Sequence, residues 1–201
     1  MYLFQLAKKT LAVEYYDADN RICIKPTMRC NLKCPYCSVA LSTGKRPEFK
    51  ESTLDEWIDL LDTMDFSVLT ISGGEPLLYP QIYGLLNYLK RRKCRVNMLT
   101  NLTVTRKLPR NWKMHMTATY HRQSSLEKFK KNLKYYRKRF PVGVHELVDE
   151  NNKDIYFHNS FILANDHMIR KIETEQCEDR LTVIAPDLSI YNSYIEMEAA
   201  G

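Results

Sequence analysis

The run Met28-Arg29-Cys30-Asn31-Leu32-Lys33-Cys34-Pro35-Tyr36-Cys37 sets three cysteines at C-x3-C-x2-C spacing. Thiolates this close in sequence can converge on one metal centre, and thiolate is the ligand that iron-sulfur clusters require. Cys30, Cys34 and Cys37 are therefore the candidate metal ligands. A four-iron cluster held by three cysteines keeps one iron open to a substrate or cofactor, as catalytic zinc sites keep a free position. An open position predicts chemistry rather than a closed structural site.

Two further runs belong with the cysteines. The apolar stretch Val68-Leu69-Thr70-Ile71 leads into Ser72-Gly73-Gly74-Glu75-Pro76, where paired glycines let the backbone approach a ligand closely. Val96-Asn97-Met98-Leu99-Thr100-Asn101 reads as another strand with a polar ending. In this order the three motifs resemble the radical S-adenosylmethionine (radical SAM) family, whose signature is C-x3-C-x-aromatic-C, with Tyr36 in the aromatic place, followed by a Gly-Gly-Glu-Pro turn. The resemblance runs from Arg21 to Val148.

That resemblance implies a [4Fe-4S] cluster on Cys30, Cys34 and Cys37, with S-adenosyl-L-methionine chelating the open iron. It implies that Gly73, Gly74, Glu75 and Pro76 hold the methionine amine, Glu75 helping to fix the loop or its charge. Tyr36 either faces the adenine or packs beneath its loop. Asn101 and Thr119, at the ends of the third and fourth strands, either bond the ribose or carboxylate or serve as turn and capping residues. His121, just beyond the fourth strand, is the candidate catalytic side chain, able to contact substrate or relay a proton because imidazole titrates near neutrality, or else a surface polar residue. The implied reaction is reductive cleavage of the sulfonium to a 5'-deoxyadenosyl radical that abstracts hydrogen from a peptide or small-molecule substrate. The electron comes from a low-potential donor such as flavodoxin or ferredoxin. Activation of a glycyl-radical enzyme is a further reading. A different class also stands: a structural metal or cluster site, completed by Cys177, His115 or His121, in a nucleic-acid-binding module.

The elements that must carry these loops can be read from periodicity. Strands are expected at Ile22 to Lys25, Val68 to Ser72, Arg95 to Thr100, Lys113 to Tyr120 and Val142 to Val148. Leu54, Trp57, Ile58 and Leu61 form one helical stripe behind a Thr53/Glu56 capping box, and Ile82, Leu85, Leu86 and Leu89 form another. Leu126, Phe129, Leu133, Tyr136 and Phe140 form a third, opened by Ser124 and Glu127. A further helix is expected near Phe161 to Ile172. Alternating strands and helices predict an α/β fold with right-handed β-α-β units. The chain has 201 residues, fewer than the roughly 250 of a full eightfold barrel. The expected architecture is thus a partial (β/α)6 barrel of the radical SAM type with a short C-terminal β-hairpin. The expected division is an N-terminal extension (1–20), the partial-barrel core (21–172) and a hairpin tail (173–201).

In that tail, Leu181 to Ala185 and Ile190-Tyr191 flank Pro186-Asp187-Leu188. This resembles the start of the auxiliary-cluster extensions on peptide-modifying radical SAM enzymes. Leu188 stands where a glycine is expected and no cysteine follows Cys177, so a second cluster is not expected. Cys23 and Cys94 lie in apolar strand-like runs and are expected in the core. The net charge of +6 would steer anionic partners, but the basic run Lys128 to Arg139 is expected to solvate one helix face rather than bind nucleic acid. A clustered-cysteine motif and a start without a signal-peptide pattern lead to the expectation of a cytoplasmic protein with no membrane association.

Overall fold

The fold is that of a computed structural model, described for residues 21–34, 37, 48–110, 112, 114–148, 167–171 and 182–191. In chain order the elements are β1 (Arg21–Ile24), α1 (Leu54–Asp62), β2 (Val68–Ile71), α2 (Ile82–Arg91), β3 (Arg95–Thr100), β4 (Met114–Tyr120), α3 (Leu126–Arg137), β5 (Val142–Val148), β6 (His167–Lys171), β7 (Thr182–Ile184) and β8 (Ile190–Tyr191). A single 3-10 turn at Pro76–Leu78 precedes α2.

The strands make one sheet in the order β6-β5-β4-β3-β2-β1-β7-β8. All neighbours pair in parallel except the antiparallel β7–β8 hairpin. The sheet does not close among the described residues, so the architecture is an open partial barrel with its hairpin seated beside β1. Alternation along each strand divides the sheet into two faces. Leu69, Ile71, Val96, Met98, Met116 and Val144 point to one face, where Trp57 and Leu61 of α1, Leu85 and Leu89 of α2, and Phe129 and Tyr136 of α3 join them in the main core. Cys23, Met28, Val183 and Ala185 form a second, smaller core with Cys37, Phe49 and Tyr191 packed on it, so the hairpin supports the cysteine loop from below.

The helices begin as their caps require. Thr53 and Glu56 form the expected reciprocal box on α1, the Glu56 carboxylate accepting from the Thr53 amide at 2.7 Å. On α3 the cap is Ser125, whose hydroxyl accepts from the Lys128 amide at 3.3 Å, rather than the expected Ser124. Ser124 instead donates to the His121 carbonyl at 2.6 Å, closing the turn after β4. The helix expected near Phe161 to Ile172 is also corrected, since His167–Lys171 is a strand paired with β5; residues 161–166 lie outside the described ones. A short apolar run carries no period that separates helix from strand, and the open hydrogen-bonding edge of β5 decides the matter.

The hairpin turn contains a strained backbone. Leu188 adopts φ 70° while its amide donates to the Ala185 carbonyl at 3.0 Å. A left-handed non-glycine residue costs roughly 1–2 kcal/mol, offset here by the packing of the Leu188 side chain on the core. We therefore expect Leu188→Gly to be more stable than Leu188→Ala by about 1 kcal/mol, although both lose that packing. Equal urea midpoints for the two variants would contradict it.

Candidate functional site

The loops after β1 and β2 are joined as a continuation of the sheet. Ser72 donates its amide to the Ile24 carbonyl at 2.9 Å, Gly74 to Thr27 at 3.0 Å and Glu75 to Arg29 at 2.8 Å. This approach demands glycine. Gly73 sits at φ 117°, and a Cβ there would overlap the Thr27 carbonyl oxygen, while one on Gly74 would overlap the carbonyl oxygens of Met28 and Arg29. Arg29 anchors the cysteine loop outside this ladder, with Nε and Nη2 forked onto the Glu51 carboxylate at 2.7 and 2.8 Å, and Nη2 also on the Leu78 carbonyl at 3.2 Å. Thr27 donates its hydroxyl to the same carboxylate.

Glu75 ties this assembly to β3. It is fully buried, and its carboxylate accepts from the Asn101 amide at 2.7 Å, the Thr100 hydroxyl at 2.8 Å and the Leu77 amide at 3.1 Å. Burial pushes its pKa up to about 7, against the pull of those three donors. Glu75 thus binds backbone, fixing the turn between β2 and the end of β3. Pro76 is buried as the first residue of the 3-10 turn.

Asn101 is saturated by protein partners. Its Oδ1 accepts from the Thr103 amide at 2.9 Å and hydroxyl at 2.6 Å, while Nδ2 reaches Asn31 Oδ1 at 3.3 Å and the Cys30 sulfur at 3.6 Å. The next residue, Leu102, is completely buried at φ 53°, its carbonyl held by Asn132 of α3 at 2.6 Å. That bend turns the chain at the site. From the far end of β4, His121 brings Nδ1 to 3.4 Å from the Cys34 sulfur, and burial pushes its pKa down to about 4. Cys37 donates its amide to the Cys34 carbonyl at 3.2 Å.

The structure therefore gathers Cys30, Cys34, Asn101 and His121 at the C-terminal ends of β1, β3 and β4, with the Gly73-Gly74-Glu75 strip beside them. Thr119 lies on β4 opposite His145 of β5, on the face away from the helices. Tyr36 and Cys177 lie outside the described residues. Thr103 and Asn31 are additions that sequence reasoning missed, because they contact one another across more than seventy positions.

The donor set suits a thiolate-bound cluster. Three half-buried cysteines share one loop, with no disulfide among the described residues, and two of the sulfurs have a nitrogen within hydrogen-bonding distance, the kind of contact that tunes cluster potentials. Among the described residues no three metal-ligating side chains surround a point the size of a single ion.

The radical SAM superfamily profile matches residues 24–118, a span that holds the cysteine loop, the Gly73-Gly74-Glu75-Pro76 turn and Asn101 and ends just before Thr119 and His121. The chain is a member of the radical SAM superfamily. It is 37% identical over 81 residues to the PqqA peptide cyclase of Streptomyces rochei, covering 39% of this chain and 22% of that one. It is 32% identical over 142 residues to the subtilosin biosynthesis protein AlbA of Bacillus subtilis, covering 67% and 25%. A 7-carboxy-7-deazaguanine synthase of Clostridium acetobutylicum is 32% identical over 132 residues, covering 63% and 58%. The fold of this radical SAM chain resembles that of Streptococcus suis SuiB bound to its precursor peptide SuiA, with TM-score 0.55 at 17% identity, over 76% of this chain and 39% of SuiB. The chain thus spans 22% and 25% of the cyclase and AlbA, and 58% of the synthase.

Glu75 yields a pH prediction. Its folded pKa of about 7 exceeds the ordinary 4.5, so the folded state holds the proton more tightly. The stability it contributes is full below pH 4.5 and falls as pH rises to about 7, by at most ~3 kcal/mol. His121, with its pKa lowered from 6.5 to about 4, runs the opposite way and masks the trend in the wild type. Urea unfolding of wild type and Glu75→Gln at both ends of the range removes the shared His121 contribution. The wild type's advantage should be largest near pH 4.5 and smallest above 7; an advantage that grows with pH would mean that Glu75 is ionised throughout.

Proposed function

We propose that this chain is the catalytic core of a peptide-modifying radical SAM enzyme. In this reading Cys30, Cys34 and Cys37 hold a [4Fe-4S] cluster, and S-adenosyl-L-methionine lies against the Gly73-Gly74-Glu75-Pro76 turn. The observation that carries it is the backbone ladder from Thr27 and Arg29 to Gly74 and Glu75, which presents a thiol loop and a side-chain-free strip together at the C-terminal edge of a parallel sheet. Parallel α/β folds bind ligands at that edge. When bound, the cluster and the sulfonium supply reductive cleavage and hydrogen-atom abstraction from an unactivated C–H bond.

The chain's own residues orient and enclose. Gly73 and Gly74 let the strip lie against the backbone of Thr27 to Arg29, where its peptide groups would receive the cofactor's amino group, Glu75 holds the strip rigid, and Asn101 and His121 direct hydrogen-bonding nitrogens at two of the ligand sulfurs. Burial keeps His121 neutral at pH 7, so it serves there as a neutral donor or acceptor rather than a cation. Thr119 faces the substrate side of the sheet. The similarity to a peptide cyclase and to AlbA supports a peptide substrate. A small-molecule substrate is the second reading, supported by the synthase, whose length this chain covers to 58%. A low-potential flavodoxin or ferredoxin would supply electrons, and a reducing compartment such as the cytoplasm suits the cluster. No helix among the described residues is long and apolar enough to cross a membrane.

Anaerobic reconstitution with iron and sulfide, followed by S-adenosylmethionine and dithionite, should yield 5'-deoxyadenosine by mass spectrometry. Cys34→Ala should lose the brown cluster absorption and the product together. Cleavage retained in that variant would overturn the ligand assignment, and a wild-type protein that takes up zinc but no iron would overturn the cofactor.

A further inference from the structure

The face of the sheet turned away from the helices carries polar groups where a doubly covered parallel sheet would carry aliphatic ones. Thr70 of β2, Asn97 of β3 and His115 of β4 lie side by side in register, and Thr117 of β4 lies beside Gly143 of β5. Asn97 Oδ1 is shared, meeting His115 Nδ1 at 3.3 Å and the Thr117 hydroxyl at 3.1 Å. The other ends of both planar groups, Asn97 Nδ2 and His115 Nε2, have no partner among the described residues. Gly143 leaves room next to the imidazole, since a Cβ there would lie 3.4 Å from Cε1 and 3.7 Å from Nε2.

The shared contact dictates what the free ends offer. If Asn97 turns its oxygen to His115, Nδ1 carries the ring proton, so Nε2 is an acceptor beside the Nδ2 donor. If the carboxamide is flipped, Nε2 carries the proton and the free amide end is the acceptor. Either way the pair presents one donor and one acceptor. Carboxylates offer only acceptors, and ammonium or guanidinium groups only donors, so each would leave one end unmatched. An amide matches both, either as a side-chain carboxamide or as the N–H and C=O of one residue in an extended peptide, which point the same way. Burial lowers the pKa of His115, which favours the neutral ring that this pairing needs.

We infer that Asn97, His115 and the space over Gly143 form a binding subsite for an amide group of the substrate. The inference rests on the peptide-modifying reading and deepens it. Asn97 lies on β3 four residues before Asn101, which directly follows that strand, or about 13 Å away in extended chain. The subsite therefore grips a part of the substrate remote from the cysteine loop, about four extended residues away. Remote contacts of this kind supply binding energy that positions a reacting group.

Three isosteric probes test the match: acetamide, acetate and acetamidinium, titrated into the intact protein with 15N-labelled histidine and followed by NMR at His115. Acetamide should shift Nε2 saturably while the other two do not. Gly143→Ala, which fills the space without a clash, and Asn97→Leu should each weaken the acetamide response at least tenfold. No response to acetamide, equal responses to all three probes as from a merely solvated face, or a response untouched by both variants would each overturn the subsite. The titration needs no cluster, so its failure is distinct from failure of the 5'-deoxyadenosine assay, which tests the radical SAM reading itself.

Discussion

Everything at the C-terminal edge of this sheet depends on two backbones being close enough to share hydrogen bonds after their strands have ended. The contacts from Ser72, Gly74 and Glu75 to Ile24, Thr27 and Arg29 prolong the β1–β2 ladder into what would otherwise be independent loops. Such closeness excludes side chains, so it is a property of Gly73 and Gly74 before it is a property of anything they bind. In the proposed reading rigidity here has a functional sense, because groups that meet a cofactor are best mounted on structure that does not rearrange when it arrives.

Glu75 extends that constraint sideways. A buried carboxylate is expensive unless its lone pairs are met, and the donors come from the 3-10 turn and from the end of β3. The side chain therefore couples three segments. Asn101 continues the chain of contacts to Cys30 and Asn31. The hairpin closes it from the other flank, since β7 pairs with β1 and its Val183 shares a small core with Met28 at the base of the cysteine loop.

Much of this was legible in the sequence, for a local reason. Cysteine spacing, a double glycine, the Thr53/Glu56 cap and the stripes of α1, α2 and α3 are all short-range signals, and short-range signals survive without a structure. What stayed hidden was long-range. Nothing near Glu75 announces that Thr100 and Asn101, two of its three partners, lie about twenty-five residues on, and nothing near Asn97 announces His115. Strain was hidden as well: Leu102 and Leu188 occupy left-handed positions that ordinary turn chemistry would give to glycine or asparagine. The β6 segment was misjudged because the deciding influence, an unpaired strand edge, lies outside it.

The bend at Leu102 makes a distant helix part of the site's mechanics. Its carbonyl is restrained by Asn132, two elements downstream on α3, and the connection from β3 to β4 contains no helix among its described residues to bear the load instead. Grafting α3 from another protein, or lengthening the chain between Asn101 and Asn132, would slacken that tether. The first casualty would be the aim of a carboxamide at a sulfur atom, with the sheet itself intact.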